Sequence, residues 1–369
     1  MNKKQFEQYG IVAESARAAA RACMGYAESA GLSRKQIQKR LRAAARNPET
    51  HLRDPLFAPL AEALTHRRGM AFGNRAGNAS FKQWGNDLDP KSIEQMERAC
   101  SLPVSVRGAL MPDAHVGYGL PIGGVLATDN AVIPYAVGVD IACRMKLTAL
   151  DMPPETLDDE RSEALRRAIE TETRFGIAAA FRQRRSHPVM DRDWGVSPVT
   201  RQLKDKAWSQ LGTSGSGNHF VEFGTLDIAT EGLGLAPGRY LALMSHSGSR
   251  GTGAEVCTYY SRQAQAARKG LPKELTHLAW FSLDSHEGRE YWAAMELMGH
   301  YAAANHELIH RHIAKHLGAE VVLDIENHHN FAWKERHDGR DAIVHRKGAT
   351  PAAPGQLGII PGSMATSAY

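Results

Sequence analysis

The sequence predicts an α+β fold with mixed or antiparallel sheets around a central cleft, preceded by a helical N-terminal extension. Apolar runs typical of strands mix with helical patterns, without the regular alternation that a doubly wound parallel sheet requires. No internal repeat is evident. The chain has 369 residues, of which 43% are hydrophobic. It can therefore bury a sizeable core, as one large domain or two.

Residues 1–70 are predicted to form a basic, helical extension. Ala-rich segments such as SARAAARACMGYAES carry apolar residues at helical spacing, and Ser33 is placed as the N-cap of the next helix, RKQIQKRLRAAAR. The basic residues of that helix suit either a solvated face or a phosphate-contacting face, and both interpretations stay open. These residues are Arg34, Lys35, Lys39, Arg40, Arg42 and Arg46.

A linker rich in Gly, Asn and Arg is predicted at residues 71–83, and the main domain at residues 84–369. A helix is expected around Pro90–Ala99, followed by a strand in LPVSVRGALM. Further strands are expected at Gly123–Ala127, Ala131–Val139, Met145–Leu150, Phe220–Phe223, Tyr240–Ser245, Glu320–Ile325 and Gly358–Pro361. Further helices are expected at residues 155–170, 199–209, 253–269 and 286–317.

Composition limits the class of protein only loosely. The formal net charge of +5 is compatible with a phosphate-bearing partner, but many proteins without such a partner are equally basic. The four cysteines are scattered and form no disulfide framework, which fits a reducing compartment. The N-terminus MNKKQFEQYG lacks an apolar signal core, and no apolar run approaches a membrane span. We expect a cytoplasmic protein without membrane association.

The stretch AVGVDIACRM at residues 136–145 carries the first sign of a site. Asp140 and Cys143 follow an apolar run and lie three residues apart, so one tight turn can direct a carboxylate and a thiolate at a single cation. Alone, Cys143 is better explained as a small buried side chain. Asp140 shifts the balance, because an ionised carboxylate after an apolar strand needs a partner.

Three histidine stretches occur later in the chain, each at the end of a predicted strand. They are GNHF at 217–220, SHSGSR at 245–250 and HHNF at 328–331. A single histidine of this kind is more often structural than ligating. Three of them, together with an Asp and a Cys, predict a metal centre. The thiolate favours zinc, and the carboxylate and imidazoles also suit manganese, so the metal stays open.

Other motifs offer contacts for anions. The Gly/Ser-rich loop GTSGSG ends at Asn218 and presents backbone N–H groups, and Arg250 amid small residues suits a two-pronged phosphate contact. Arg346 and Lys347 form a basic pair after a strand, and Ser363 lies in a PGSM turn. Each of these features is also typical of an ordinary loop or surface turn.

One motif points to a different function. The segment HELIH at residues 306–310 matches the HExxH pattern of zinc metalloproteases. The predicted helix is rich in histidine throughout, and such a helix produces the pattern by chance. We therefore keep a zinc metalloprotease as a remote alternative only.

Together these stretches resemble the RtcB family of RNA-splicing ligases, from about Trp84 to the end of the chain. The order and spacing of seven motifs carry the resemblance. They are MPDAHVGYGLPIGG at 111–124, VGVDIACRM at 137–145, LGTSGSGNHFVEFG at 211–224, SHSGSRG at 245–251, HHNF at 328–331, HRKGAT at 345–350 and IIPGSM at 359–364.

The resemblance implies an RtcB-like fold, with its sheets around a central metal cleft, and an RNA ligase that depends on manganese and GTP. Such an enzyme uses two Mn²⁺ ions and a guanylylated histidine. It joins RNA 3′-phosphate or 2′,3′-cyclic phosphate ends to 5′-hydroxyl ends, in tRNA halves or damaged RNA. We expect the chain to be a monomer or a weak oligomer.

The resemblance also implies roles for individual residues. The implied metal ligands, with the thiolate shared between two ions, are Asp140, Cys143, His219, His246 and His329. The implied GTP-binding residues are Asn218, His219, Phe220, Val221, Glu222, His329, Asn330, Pro361, Gly362, Ser363 and Met364. Contacts with phosphate or RNA are expected from Arg250, Arg346 and Lys347. Asp113 and His115 match the family's PDxH and are expected near the site, without an assigned role.

The sequence departs from the family pattern in one important respect. A motif resembling SHGAGR follows PGSM in the family and supplies the guanylylated histidine, and a later lysine binds the guanylate. Neither occurs before Tyr369, and Ala365, Ala368 and DIACRM replace commoner family residues. No catalytic nucleophile is therefore identified. We expect a truncated form of a longer ligase. The alternative is a catalytically incomplete protein that binds RNA ends.

Overall fold

The chain forms two compact units, Met1–Gly77 and Asn78–Tyr369, in a computed structural model. The structure describes residues 1–9, 11, 14–68, 78–362 and 366–369. Most of the predicted linker at 71–83 therefore lies outside the described residues. Its last residues do not: Phe81–Gln83 form a strand of the second unit.

The first unit is helical, as the Ala-rich pattern predicts. Its helices are α1 (Lys3–Gln8), α2 (Glu14–Ser29), α3 (Arg34–Arg46) and α4 (Ala58–Arg68), with a 3₁₀ turn at Pro48–His51. The predicted N-cap at Ser33 is present, because its backbone N–H donates to Gln36 Oε1 at 2.8 Å in a capping box. The unit packs around its own apolar side chains, among them Phe6, Ala20, Ile37, Leu41, Phe57 and Leu60.

The first sheet of the second unit is mixed. Its strand order is β1–β2–β3–β11–β10, with β1 parallel to β2 and the remaining pairs antiparallel. The strands are β1 (Phe81–Gln83), β2 (Ser105–His115), β3 (Ile122–Thr128), β10 (Asn330–His337) and β11 (Arg340–Lys347). The sheet thus joins an early part of the unit to a hairpin some two hundred residues later in the chain.

The second sheet is antiparallel throughout, in the order β6–β7–β5–β9. Its strands are β5 (Arg144–Leu150), β6 (Phe220–Ile228), β7 (Gly238–Ser247) and β9 (Val321–His328). A two-stranded ribbon pairs β4 (Ala131–Val132) with β8 (Phe281–Ser282). Mixed and antiparallel sheets together confirm the predicted α+β class.

Six helices cover these sheets in the described part of the unit. They are α5 (Pro90–Cys100), α6 (Pro134–Val137), α7 (Ser162–Glu172), α8 (Pro198–Gln210), α9 (Arg250–Ala267) and α10 (His286–Leu317). The long helix α10 begins after the N-cap Ser285 and ends at Gly318, which takes a left-handed φ of 66°. Its buried face, with α8 and α9, forms the largest apolar core.

Two strand predictions are wrong. Residues 131–139 form the short strand β4 and then helix α6, because Pro134 has no N–H for a ladder and suits the first turn of a helix instead. Residues 358–361 have no regular structure. The hairpin β10–β11 was not predicted, although Asp338 and Gly339 form its turn with φ values of 51° and 76°.

Among the helices in the described parts of the chain, none is both long enough and apolar enough to cross a bilayer.

A buried histidine on β11 joins strand β3 to the residue that precedes helix α6. His345 on β11 is fully buried, its Nε2 accepts from the Ile133 N–H at 2.9 Å, and its Nδ1 lies 3.2 Å from the Leu126 carbonyl oxygen. Since the carbonyl can only accept, Nδ1 carries the proton and the ring is neutral. Burial lowers the pKa of His345 from 6.5 to about 4.

The stability of the second unit should therefore fall as pH drops from 6.5 towards 4. In that window the unfolded state binds a proton that folded His345 cannot accept, so stability is complete above pH 6.5. The cost at pH 5 is about 2 kcal/mol. Denaturant titrations with a chelator present should show a smaller loss between pH 7 and pH 5 for His345→Gln. The exposed control His286→Gln should behave as wild type, and an unchanged loss in His345→Gln would contradict the assignment.

Candidate metal centre

The turn from Asp140 to Cys143 leads from helix α6 into strand β5. Gly138 ends the helix with a φ of 107°, and the Cys143 N–H donates to the Asp140 carbonyl oxygen at 3.2 Å. Ala142 takes a left-handed φ of 59° within this turn. Its N–H donates to the Asn330 carbonyl oxygen at 2.7 Å. The turn is therefore held to a distant part of the chain by its backbone.

His329 occupies the junction between the two sheets. It is the single residue between the end of β9 at His328, in the second sheet, and the start of β10 at Asn330, in the first. Arg144 pairs with His328, and the His329 N–H donates to the Cys143 carbonyl oxygen at 3.0 Å. The β5–β9 ladder therefore continues past its last pair and sets Cys143 beside His329.

The other two histidines, His219 and His246, belong to the hairpin formed by β6 and β7. His246 lies near the end of β7, opposite Met145 on one side and Phe220 on the other. His219 immediately precedes Phe220, after the loop that contains Gly215. A Cβ at Gly215 would overlap the His219 ring, so this position needs glycine for His219 to approach.

The structure brings all five predicted ligand residues together. The Cys143 Sγ lies 3.1 Å from His246 Nε2 and 3.4 Å from His219 Nε2. His246 Nε2 is 3.2 Å from His329 Nε2, and His219 Nε2 is 2.9 Å from Asp140 Oδ2. The candidate ligand atoms of Cys143, His219 and His246 all lie within 4.8 Å of one another.

The hydrogen bonds show that His246 turns a lone pair towards its neighbours. Its Nδ1 lies 2.8 Å from the Asn218 carbonyl oxygen, which can only accept, so Nδ1 carries the proton. In the neutral ring, Nε2 is then unprotonated, and it faces Cys143 Sγ and His329 Nε2. A histidine held through one ring nitrogen, with the other converging on N and S donors, is the usual arrangement of a metal ligand.

Protonation states also suit a cation. Burial lowers the pKa of His246, and it lowers the pKa of His329 to about 3, so both rings are neutral near pH 7. Burial acts to raise the pKa of Asp140, but hydrogen bonding and the charge of His219 outweigh it, and the pKa lies below its usual value. Burial and the charge of Asp140 raise the pKa of the Cys143 thiol, so ionisation there depends on a positive charge.

Asp140 is held by residues that the sequence analysis did not single out. Its Oδ1 accepts from the backbone N–H of Ser249 at 3.2 Å and lies 3.4 Å from the hydroxyl. Its Oδ2 is buried and faces His219 Nε2 at 2.9 Å. A Cβ at Gly248 would overlap both carboxylate oxygens. The SHSGSR motif therefore supplies one candidate ligand, His246, and the backbone that holds a second candidate ligand, Asp140. A buried carboxylate oxygen that faces a histidine nitrogen fits a cation bound between the two.

Arg250 lies next to the centre but already has protein partners. It is buried, its Nε donates to Thr213 Oγ1 at 3.0 Å, and its Nη2 donates to the Gly176 carbonyl oxygen at 2.9 Å. Burial lowers its pKa. A Cβ at Gly215 would meet Nη1. The phosphate contact stays a prediction.

The predicted GTP-binding residues are brought to the centre only in part. The rings of Phe220 and His246 are 5.9 Å apart, and Glu222 follows Phe220 on the same face of β6, where burial raises its pKa. The Val221 side chain lies on the other face and packs in a separate core. Asn330 contacts the Asp140 turn through Nδ2 at 3.4 Å and accepts from the Gly348 N–H at 2.8 Å.

Near the end of the chain, the structure describes two of the four predicted GTP-binding residues. Pro361 and Gly362 are exposed. Ser363 and Met364 lie outside the described residues. Their role as part of a nucleotide pocket stays a prediction.

The expected basic contacts Arg346 and Lys347 are not presented to solvent as a pair. Arg346 forms a two-pronged ion pair with Glu335 and lies over the Trp333 ring, 4.9 Å from its centre. Lys347 is buried and donates to the Tyr118 carbonyl oxygen at 2.5 Å, and burial lowers its pKa to about 8. Alternation along β11 explains the split, since neighbouring residues of a strand face opposite sides.

Asp113 and His115 lie at the end of β2 and are exposed. His115 Nδ1 is 3.0 Å from the Asp113 backbone oxygen. This local contact assigns no role to either residue.

The metalloprotease alternative is wrong. His306 Nδ1 and His310 Nε2 each lie 2.8 Å from Ser245 Oγ, and His310 Nδ1 lies 3.0 Å from Thr148 Oγ1. Burial lowers the pKa of both rings. Glu307 is turned away from them and pairs with Arg311 at 2.7 Å. The two histidines bond hydroxyls of the sheet beneath α10, so HELIH is a packing motif here.

Comparison with known proteins agrees with this geometry. A family model described as tRNA-splicing ligase RtcB matches residues 95–194 and 195–369. The chain belongs to the RtcB family. The resemblance read from the seven motifs is therefore confirmed, and the fold described above is that of an RtcB member. Residues 1–94 lie outside the match.

Curated members of the RtcB family support the assignment. The chain is 31% identical over 325 residues to the RNA-splicing ligase RtcB of Escherichia coli strain K12, with 79% of this chain and 76% of the relative covered. It is 33% identical over 339 residues to the RNA-splicing ligase RtcB of Mycobacterium tuberculosis, covering 74% and 78%. It is 32% identical over 351 residues to the tRNA-splicing ligase RtcB of Archaeoglobus fulgidus, covering 76% and 72%.

The role of Gly248 in holding the Asp140 carboxylate can be tested without substituting a candidate ligand. Gly248→Ala should weaken binding of Mn²⁺ or Zn²⁺ by roughly 10- to 100-fold, because the new methyl group displaces the carboxylate. Competition with a chromogenic chelator measures the affinity, and circular dichroism checks the fold. Gly270→Ala is the matched control, since a Cβ there meets nothing within 4 Å. Equal metal affinity in the two variants would refute this role of Gly248.

Proposed function

We propose that this protein is an RNA ligase that joins a 3′-phosphate or 2′,3′-cyclic phosphate end to a 5′-hydroxyl end, with manganese and GTP. The convergence of five side chains on one centre is the observation that carries the proposal. They come from four separate stretches of the chain, and neighbouring donor atoms among them are 2.9–3.4 Å apart. RNA as substrate follows from the names of the relatives, which are RNA-splicing and tRNA-splicing ligases.

Asp140, Cys143, His219, His246 and His329 would hold the metal. Cys143 Sγ lies between His219 Nε2 and His246 Nε2, at 3.4 Å and 3.1 Å, which supports a thiolate shared by two ions. Bound divalent cations would stabilise the negative charge on attacking and leaving oxygens at the RNA ends. Mixed N, O and S donors suit manganese, and zinc is the alternative.

The nucleotide would lie against the face of β6 that carries Phe220 and Glu222. An apolar ring beside a polar acceptor suits a purine base, and the partly buried Glu222 carboxyl can bond base or ribose donors. Arg250 would contribute its remaining N–H groups to phosphate oxygens. The orientation of Asn330, fixed from both sides, keeps this wall of the site in place.

A second candidate is a protein of the same family that binds RNA ends without joining them. The five side chains that would hold the metal at an RNA end do not themselves require a guanylate carrier, so their convergence supports this function as well. Metal-dependent binding of cyclic-phosphate RNA, without turnover and without a guanylate adduct, would distinguish it from the ligase. An intact mass measured after incubation with GTP and Mn²⁺ detects the adduct.

The joining reaction tests the main proposal. With Mn²⁺ and GTP, the complete wild-type protein should join a cyclic-phosphate RNA to a 5′-hydroxyl RNA. Cys143→Ser in that protein should retain less than roughly 1% of the rate, because a serine hydroxyl does not ionise to bind the cations. Product is measured by gel electrophoresis of end-labelled RNA, and bound metal by elemental analysis.

Cys257→Ala serves as the control, since this buried thiol contacts the Pro134 carbonyl oxygen and lies outside the centre. Its variant should join RNA as the wild-type protein does. Joining that is unchanged in Cys143→Ser would refute the proposed metal role. Adduct-free end binding by the wild-type protein would favour the second candidate.

A further inference from the structure

The N-terminal unit has no role in the proposed chemistry, yet it is folded. It lies outside the family match and packs helices α1 to α4 around its own apolar side chains. A unit with its own core is more than a connecting segment. Its most unusual feature is the surface of helix α3.

Helix α3 has two opposite faces. Its buried residues are Ile37, Leu41 and Ala44, at the i, i+4, i+7 spacing of one helical stripe. At about 100° per residue, a second stripe lies on the opposite side of the helix. That stripe consists of Lys35, Lys39, Arg42 and Arg46, all exposed. Arg34 and Arg40 lie at the two edges of the buried stripe and are also exposed, and the helix contains no acidic residue.

Several of these charges have no partner among the residues that the structure describes. Arg34, Lys35 and Lys39 form no ion pair or side-chain hydrogen bond in the described part of the chain. Arg40 reaches Asp54 only at 4.0 Å. Arg42 lies over the Tyr9 ring at 4.6 Å and donates to its hydroxyl at 3.0 Å, and neither contact neutralises the charge. The surface therefore keeps a strongly positive potential.

Helix stability does not explain this arrangement. Arg34 and Lys35 lie in the first turn, where the helix dipole favours acidic residues and disfavours cations. Like charges one turn apart, such as Lys35 and Lys39, also repel each other. The cations of the first turn thus oppose the helix that carries them, whereas Arg46 in the last turn suits the dipole. The unfavourable placement of Arg34 and Lys35 favours a polyanionic ligand as the reason for their presence.

We propose that the exposed face of α3 binds the phosphate backbone of RNA, independently of base sequence and of the chemistry of the RNA ends. The choice of RNA over other polyanions rests on the proposed ligase function. A membrane surface fits less well, because an interfacial helix inserts its apolar face into the lipid, whereas Ile37, Leu41 and Ala44 are buried in the protein. Lysine and arginine at helical spacing bind phosphates by charge and counterion release.

The experiment compares two full-length triple variants with the same change in net charge. Arg34→Gln/Lys35→Gln/Lys39→Gln removes cations for which the described residues provide no partner. The control, Lys91→Gln/Lys269→Gln/Lys273→Gln, removes three exposed cations of the second unit. The probe is a fluorescent single-stranded RNA with hydroxyl groups at both ends, which no cyclic-phosphate ligase can join. Anisotropy titrations at several potassium chloride concentrations give the Kd and its salt dependence.

The α3 variant should bind roughly tenfold more weakly at moderate salt, and the slope of log K against log salt should become less negative by about 2, for three lost phosphate contacts. The control should change both quantities much less. Equal losses in the two variants would show a general charge effect and overturn the proposal. Unchanged RNA binding in the α3 variant would also overturn the proposal. A loss of binding that is seen only with phosphatidylserine vesicles, and not with RNA, would overturn it too.

The same variants separate this proposal from the ligase function. If the wild-type protein does not join RNA but the α3 effect on hydroxyl-ended RNA persists, the proposed function fails and the α3 site stands. If joining occurs and the α3 variant binds and joins as the wild type does, the α3 site fails and the proposed function stands.

Discussion

The backbone ladder between β5 and β9 is the interaction on which the second unit depends. It runs from Leu150 opposite Val321 to Arg144 opposite His328, and the His329 N–H extends it to the Cys143 carbonyl oxygen. Register decides which side chains stand together, and a slip of one residue would turn every side chain of β9 to the other face. Two candidate ligands almost two hundred residues apart are thus positioned by ordinary sheet pairing.

Arg144 anchors this ladder next to the centre. It is buried, pairs with Glu326 at 3.0 Å, and donates towards His328 Nδ1 at 3.2 Å. His328 in turn stacks on Trp333, with ring centres 5.0 Å apart. A buried guanidinium without its carboxylate would be costly, so the pair with Glu326 is a condition for placing a cation here. These contacts fix the position of His328, which immediately precedes the candidate ligand His329.

Much of the centre could be predicted from the sequence, because its ligands are local signals: Asp and Cys within one turn, and histidines at strand ends. The end points of α10 were equally local, with Ser285 and Gly318 as caps. Contacts that depend on distant partners could not be predicted. The hydrogen-bond partners of Arg346 and Lys347 are Glu335 and the Tyr118 carbonyl oxygen, and no residue spacing in the sequence reveals them. The β10–β11 hairpin was missed although Asp338–Gly339 is a common turn signal, because its strands are rich in charged residues.

The position of His329 restricts how this protein can change in evolution. One residue passes the chain from the second sheet to the first, with β9 and β10 fixed in register on either side. An insertion or deletion of one residue there would exchange the two faces of an eight-residue strand and misalign the β10–β11 pairing. Substitution is the only small change that the junction tolerates. Length variation among related proteins should therefore accumulate in the turns at the far ends of these strands, and avoid the junction itself.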